Sequence, residues 1–167
     1  DDLNMKIILE IYRTYPFRLE TSELKFIKNL HAWKTTLKTE NYLVKHTKGF
    51  FFSFNKYKTY DRYGERKIDI NSKELVKLLK IKTKNMESNE FFFGGGAEGG
   101  MLRNTMSKKI TTFFDQKGIK GVTPTNLTKM IIQREYSKLD PAMRTIQDSG
   151  HSVQTQMEVY LIERKKV

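Results

Sequence analysis

The sequence predicts an α+β fold, a mostly helical domain with a small three-stranded antiparallel sheet. Two observations predict it. Apolar residues recur at helical spacing toward both ends of the chain, whereas residues 41–70 consist of β-branched and aromatic runs separated by turn signals. The chain has 167 residues, enough for one domain and too few for two ordinary ones. We see no internal repeat or linker and expect a single domain.

The N-terminal part predicts two helices. The first helix should end near Tyr15, because Pro16 limits how far it can run. A second helix is predicted over residues 22–34, where apolar residues again recur every three residues. Thr21 or Ser22 would supply its N-cap.

Three runs after the second helix predict the sheet. Residues 41–46, 49–57 and 65–70 are rich in β-branched and aromatic side chains. Turn signals at residues 47–49 and 60–64 separate them, and short connections of this kind favour antiparallel pairing.

The second half of the chain predicts further helices. Ser72 should cap one of them, and a polar connection should follow it over residues 82–90. Residues 94–100 hold five glycines and predict a flexible loop, which no GK[ST] sequence follows, so it is not a nucleotide-binding loop. The later helices are predicted over residues 107–116, from Thr123-Pro124 onward, over 141–149 and over 152–164.

Composition excludes several classes of chemistry. The absence of cysteine excludes disulfides, thiolate metal sites and a cysteine nucleophile. The three histidines do not fall in a close metal-ligand spacing, which disfavours a histidine-rich metal site. No window approaches the length of an apolar membrane span, and the N-terminus lacks the layout of a signal peptide.

The charge balance favours a polyanionic partner. Thirty-one Lys and Arg against nineteen Asp and Glu give a net charge of +12, and nucleic acid is the partner that such an excess favours most. The alternatives are a solubility charge and a membrane-surface patch. The aromatic runs at residues 50–52 and 91–93 are predicted to pack in the core, with base stacking as the alternative.

The C-terminal stretch carries the first functional motif. Gly150-His151-Ser152 is followed nine residues after the histidine by Tyr160. This spacing resembles tyrosine recombinases, in which a similar junction precedes the nucleophilic tyrosine. Considered alone, Tyr160 is better explained as a half-buried aromatic residue of an amphipathic helix.

Further matches occur in the family's order. Arg18, followed by Ser22-Glu23-Leu24, is similar to the segment that carries the family's first arginine. Lys58 precedes a glycine-containing turn, as the family's catalytic lysine does, with Lys56 as the alternative. Either charge alone would be an ordinary surface residue.

The resemblance implies a DNA integrase or site-specific recombinase. Tyr160 would attack a phosphodiester of double-stranded DNA and form a 3′-phosphotyrosyl intermediate, with Arg18 and His151 at the phosphate and Lys58 as general acid. Neither a metal nor ATP would be needed.

The resemblance also implies a context for the chain. It would be the catalytic domain of a longer recombinase, lacking an N-terminal DNA-clamping domain. The intact protein would be a homotetramer on DNA and the isolated domain a monomer, located inside the cell with its target DNA. The Lys-, Asn- and Ile-rich composition hints at a virus or mobile element with an AT-rich genome.

Two positions depart from the family pattern. Thr125 stands at a histidine position, and Thr128 stands where the family has its second arginine. A hydroxyl at position 128 removes a charged bidentate donor, and Lys129 points about 100° away around the helix. A natural inactive relative, a deliberately inactivated variant and a local misalignment each explain Thr128. A non-catalytic DNA-binding module and a type IB topoisomerase therefore remain as alternative functions.

The resemblance makes one geometric prediction. Arg18, Lys58 and His151 should converge on one basic concavity the size of a phosphate group, with Thr128 lining it. Tyr160 need not lie there when DNA is absent, because the segment that carries such a residue can swing.

Overall fold

The computed structural model describes residues 2–17, 19–94 and 99–138, and within these ranges it is a mixed α/β structure. The α-helices are α1 (Leu3–Thr14), α2 (Leu30–Thr35), α3 (Tyr60–Tyr63), α4 (Lys73–Lys82), α5 (Arg103–Gln116) and α6 (Pro124–Ser137). The strands are β1 (Lys25–Ile27), β2 (Tyr42–His46), β3 (Gly49–Phe54) and β4 (Arg66–Asp69). Two 3₁₀-helices, Leu19–Glu23 and Thr83–Asn85, complete the regular structure.

The sheet has four strands in the order β1-β2-β3-β4. The three segments predicted as strands correspond to β2, β3 and β4, which pair antiparallel. Strand β1 adds to β2 in parallel, with Lys25 opposite Tyr42 and Ile27 opposite Val44. The predicted three-stranded, wholly antiparallel sheet is therefore wrong in strand number and in the direction of one pair.

The predicted helix over residues 22–34 is wrong. This stretch contains the end of a 3₁₀-helix, then β1, then the short helix α2. The backbone N–H of Lys25 donates to the carbonyl of Asn41 at 2.9 Å, a partner that helical spacing does not reveal. Asn29 starts a new helix, because its side chain accepts from the N–H of Ala32 at 2.8 Å.

The outer edge of β1 is paired with residues 89–92. The N–H of Phe26 donates to the carbonyl of Glu90 at 2.8 Å, and the carbonyl of Phe26 accepts from Asn89 at 2.7 Å. The N–H of Phe92 donates to the carbonyl of Leu24 at 2.7 Å. The segment after α4 therefore holds β1 on the side that β2 does not occupy.

The core lies on both faces of the sheet. One face packs against α1, α4, α5 and α6, and its largest fully buried side chains include Ile7, Ile8, Ile11, Leu24, Phe26, Leu43, Phe50, Phe52, Leu75, Leu79, Phe92 and Phe93. The other face forms a smaller cluster beneath α2, made of Ile27, Trp33, Tyr42, Val44 and Phe51. Most of the two aromatic runs is thus buried, as the core interpretation predicts.

The helix starts in the second half follow their capping signals. Ser72 accepts from the N–H of Leu75 at 3.2 Å, and Thr123 accepts from Asn126 at 3.2 Å. Helix α5 begins at Arg103, four residues before the predicted start. The helices predicted over residues 141–149 and 152–164 lie outside the described residues.

Candidate functional site

A cleft of about 1140 Å³ is the candidate site. Its walls come from the 3₁₀-helix Leu19–Glu23, the connection between β3 and β4, the start of α5, and α6 as far as Gln133. Helix α5 packs on the 3₁₀-helix, which is distant from it in the sequence, and the buried Thr21 hydroxyl lies 3.9 Å from the sulfur of Met106.

Four of the predicted site residues line this cleft. Lys58 comes from the β3–β4 connection, and Thr125, Thr128 and Lys129 come from α6. Lys129 lines the same cleft as Thr128 although the two are adjacent on the helix, because it lies one turn beyond Thr125. The 100° separation therefore does not remove Lys129 from the site.

Of the other predicted site residues, only Lys56 lies within the described ranges. Lys56 does not line the cleft, and its Nζ lies 3.6 Å from Oε2 of Glu40. Arg18, His151 and Tyr160 lie outside the described residues. The predicted convergence of Arg18, Lys58 and His151 therefore stays a prediction, and the described residues show only that Lys58 and Thr128 line the same cleft.

The loop that carries Lys58 is held on both sides. The buried side chain of Asn41 accepts from the N–H groups of Asn55 at 2.9 Å and Lys56 at 2.8 Å. On the far side, the Tyr57 hydroxyl donates to the carbonyl of Gly64 at 2.7 Å, which closes the turn around α3. These contacts fix the backbone on which Lys58 stands, while its own side chain is exposed.

The same Asn41 side chain joins this loop to the opposite wall. Its Nδ2 donates to the carbonyl of Lys56 at 3.0 Å and to that of Glu20 at 3.2 Å. Glu20 lies in the 3₁₀-helix that lines the cleft. One buried amide therefore sets the spacing between the Lys58 loop and the segment that follows position 18.

The hydroxyl of Thr128 faces the protein backbone. Its Oγ1 lies 2.7 Å from the carbonyl oxygen of Phe17 and 3.0 Å from that of Pro124, and the residue is 7% exposed. A threonine within a helix commonly bonds to the carbonyl four residues earlier, and here the shorter contact is to Phe17. Thr128 thus ties α6 to the residue immediately before Arg18.

The cleft contains a cation that the sequence reasoning missed. Arg103 is the first residue of α5, and its Nη2 lies 3.2 Å from Oε2 of Glu23. The sequence assigns no element to position 103, because it predicts a helix that begins only at residue 107. The apolar pair Met106 and Ile110, both fully buried, was the available signal for an earlier start.

The charge of the cleft is positive among the described residues that line it. Lys58, Arg103 and Lys129 contribute three cations, and Glu20 contributes the one carboxylate. The first turn of α6 also borders the cleft, and the N–H groups at a helix start favour an anion. The arrangement is suited to binding a phosphate group.

Comparison of the chain with family models, with curated proteins and with solved structures found no match. Across the described ranges, no group of three His, Asp or Glu side chains is placed to hold a metal ion. No helix in those ranges is long and apolar enough to cross a membrane.

Proposed function

We propose that this chain is a DNA strand-transferring domain that resembles the catalytic domain of tyrosine recombinases. The observation that supports it most is the shared cleft of Lys58 and the α6 positions Thr125 and Thr128. These residues were selected because they align with the family's motif positions, and nothing in the sequence separation between Lys58 and α6 requires the two to meet. The surplus of cations in that cleft agrees with a phosphodiester substrate.

The reaction follows from the residue types. The phenol of Tyr160 releases its proton to solvent, and its oxygen bonds to phosphorus while the bond from phosphorus to the 5′ oxygen breaks. The ammonium of Lys58 gives its proton to that departing oxygen. Arg18 and His151 hold the nonbridging oxygens, on which negative charge increases in the transition state. A 5′ hydroxyl reverses the step, so the bond energy is conserved.

Lys58 is the general acid in this proposal, and Lys56 is not. Lys58 lines the cleft, whereas the ammonium of Lys56 is drawn toward Glu40. The pair provides a matched comparison, because both lysines lie on the same loop and both are exposed.

The test uses a pool of nicked duplexes of randomised sequence, since the target site is unknown. The full chain should form a covalent adduct that survives denaturant and is lost in Tyr160→Phe. Lys58→Ala should lower the rate about a hundredfold or more, the usual range for a lost general acid, while Lys56→Ala stays near the parent rate.

A modified substrate separates acid catalysis from a structural effect. Replacing the 5′ bridging oxygen by sulfur gives a leaving group that needs no proton, so Lys58→Ala should recover most of its rate on that substrate. An adduct that persists in Tyr160→Phe would reject the assignment. Equal losses with the oxygen and sulfur substrates would reject the acid role of Lys58.

A DNA-binding module without catalysis is the second candidate. The observation that favours it is the inward contact of the Thr128 hydroxyl with Phe17, which leaves position 128 with no donor for a phosphate. This candidate predicts duplex binding that weakens steeply with salt and no adduct under any condition.

A further inference from the structure

The cleft has a candidate replacement for the missing family arginine. Thr128 occupies the arginine position, and its hydroxyl is engaged with the Phe17 carbonyl. Arg103 enters the same cleft from α5, and it is the only arginine among the described residues that line it. The inference that follows rests on the proposed function, because it names the DNA contact made by that site.

Arg103 stands on a well-anchored element. Met106 and Ile110, the apolar residues one and two turns after it, are fully buried, and α5 runs for 14 residues. A side chain at the start of a rigid helix is held more reproducibly than one on a loop. The placement of Arg103 at the cleft is therefore set by core packing and does not depend on its own ion pair.

The guanidinium of Arg103 is accessible to a ligand. Its side chain is 47% exposed, and its one contact in the described structure is the single interaction of Nη2 with Glu23. A guanidinium has five N–H donors, so most of them remain available in this arrangement. Two parallel N–H donors match two phosphate oxygens, which the point charge of Lys129 cannot do.

We propose that Arg103 binds the nonbridging oxygens of the reacting DNA phosphate and supplies the charge absent at position 128. Glu23 holds the guanidinium while the cleft is empty and releases it when the phosphate enters. Arg103 is then a catalytic residue, because it contacts the phosphate on which charge develops.

The first test measures duplex binding as a function of salt. A random-sequence 30-base-pair duplex is titrated with the full chain at several potassium chloride concentrations. Arg103→Ala should weaken binding and lower the slope of log K against log salt by about 0.9, the value for one lost phosphate contact. Lys109→Ala is the matched control, because it removes one charge from the same helix on a face outside the cleft, and its slope should stay unchanged.

Glu23→Gln gives a change in the opposite direction. It removes the carboxylate that competes for the guanidinium, so duplex binding should become several-fold tighter at low salt. The same Glu23→Gln substitution should tighten binding less when it is made in an Arg103→Ala background. In that background Glu23 has no Arg103 guanidinium to compete for.

The second test measures adduct formation with the nicked duplex pool. Arg103→Ala should lower the rate of adduct formation about a hundredfold. The rate of Arg103→Lys should lie between those of the parent and Arg103→Ala, because lysine restores the charge without the bidentate donors. Lys109→Ala should match the parent.

The outcomes separate this inference from the proposed function. If Arg103→Ala and Lys109→Ala have the same salt slope, or if Arg103→Ala forms adduct at the parent rate, the inference is overturned. If the parent binds DNA without forming adduct, and Arg103→Ala has a smaller slope of log K against log salt, the catalytic proposal fails and the phosphate contact stands. A parent that shows no salt-dependent duplex binding overturns both.

Discussion

The side chain of Asn41 binds both the backbone N–H and the backbone carbonyl of Lys56. The side-chain oxygen accepts from the N–H of Lys56 at 2.8 Å, and the side-chain nitrogen donates to its carbonyl at 3.0 Å. The same amide reaches Asn55 and Glu20, and Asn41 is 1% exposed. An asparagine is required here, because the site needs an acceptor and two donors in one small planar group.

Replacement of Asn41 should therefore destabilise the fold. Asn41→Ala leaves backbone groups of Glu20, Asn55 and Lys56 without their partners at a site where Asn41 itself is buried, and we expect the free energy of unfolding to fall by about 3 kcal/mol. Urea denaturation measures it, with Asn85→Ala as a control at an exposed position. A loss below about 1 kcal/mol would show that water replaces the amide at this point.

Thr128→Val should also destabilise the chain, although valine has nearly the same shape. The substitution removes the hydrogen bond to the Phe17 carbonyl, and the expected loss is about 1–2 kcal/mol. Thr105→Val, at an exposed position on α5, provides the same exchange without a buried contact. Equal urea midpoints for the two variants would contradict a structural role for the Thr128 hydroxyl.

The Glu10 carboxylate should make stability depend on pH. The Arg13 guanidinium, at 2.6 and 2.7 Å, and the Ser72 hydroxyl, at 2.7 Å, hold the pKa of Glu10 below its ordinary value of 4.5 against the opposing effect of burial. A carboxylate with a lowered pKa in the folded state stabilises the protein above its unfolded-state pKa, and this contribution is lost as pH falls through the folded-state pKa.

The comparison that checks it is between the parent chain and Glu10→Gln. The difference between their free energies of unfolding should have its maximum value at pH 7 and should become smaller once the pH falls below about 4.5. Glu90→Gln, at an exposed position, should show no such difference. A gap between parent and Glu10→Gln that persists unchanged at pH 3 would contradict the ion-pair origin of the effect.

Gly99 and Gly100 should resist substitution because they pack on the ring of Phe91. A Cβ at Gly100 would lie 2.8 Å from Cδ1 of that ring, and a Cβ at Gly99 would lie 2.9 Å from Cδ2, at a φ of +90°. We expect Gly100→Ala to cost about 1–2 kcal/mol by crowding and Gly99→Ala to cost more, since it adds backbone strain.

A double-mutant cycle identifies the source of this cost. If crowding against the ring is the cause, Gly100→Ala should cost little in a Phe91→Ala background. Gly118→Ala isolates the effect of positive φ, because φ there is +78° and a Cβ would meet nothing within 4 Å. Additive costs for Gly100→Ala and Phe91→Ala would reject the contact.

The sequence predicted those parts of the fold that local chemistry determines. The helix starts at Ser72 and Thr123 each depend on a side chain that accepts from the N–H three residues later, and that signal can be recognised from nearby residues. Strand β1 depends on Asn41 and on residues 89–92, which contribute its hydrogen bonds from far along the chain. Apolar spacing alone did not distinguish it from a helix.

The candidate site shows the same division. Lys58, Thr125 and Thr128 could be selected in advance because motif order assigns them a place. Arg103 could not, because a single arginine in a chain with 31 cationic residues has no spacing that marks it. Its position became evident only when α5 was seen to begin at residue 103 and to pack on the 3₁₀-helix.

The pairing of residues 89–92 with β1 has a consequence for aggregation. A sheet edge with free N–H and C=O groups is a template on which another chain can add a strand. Here one edge is already occupied by the chain itself, and the other, β4, is short and carries Arg66, Lys67 and Asp69 among its four residues. Charged side chains on an edge strand disfavour strand addition. Within the described part of the chain, the sheet offers no long apolar edge, so strand-mediated fibre formation should be slow even when the protein is concentrated.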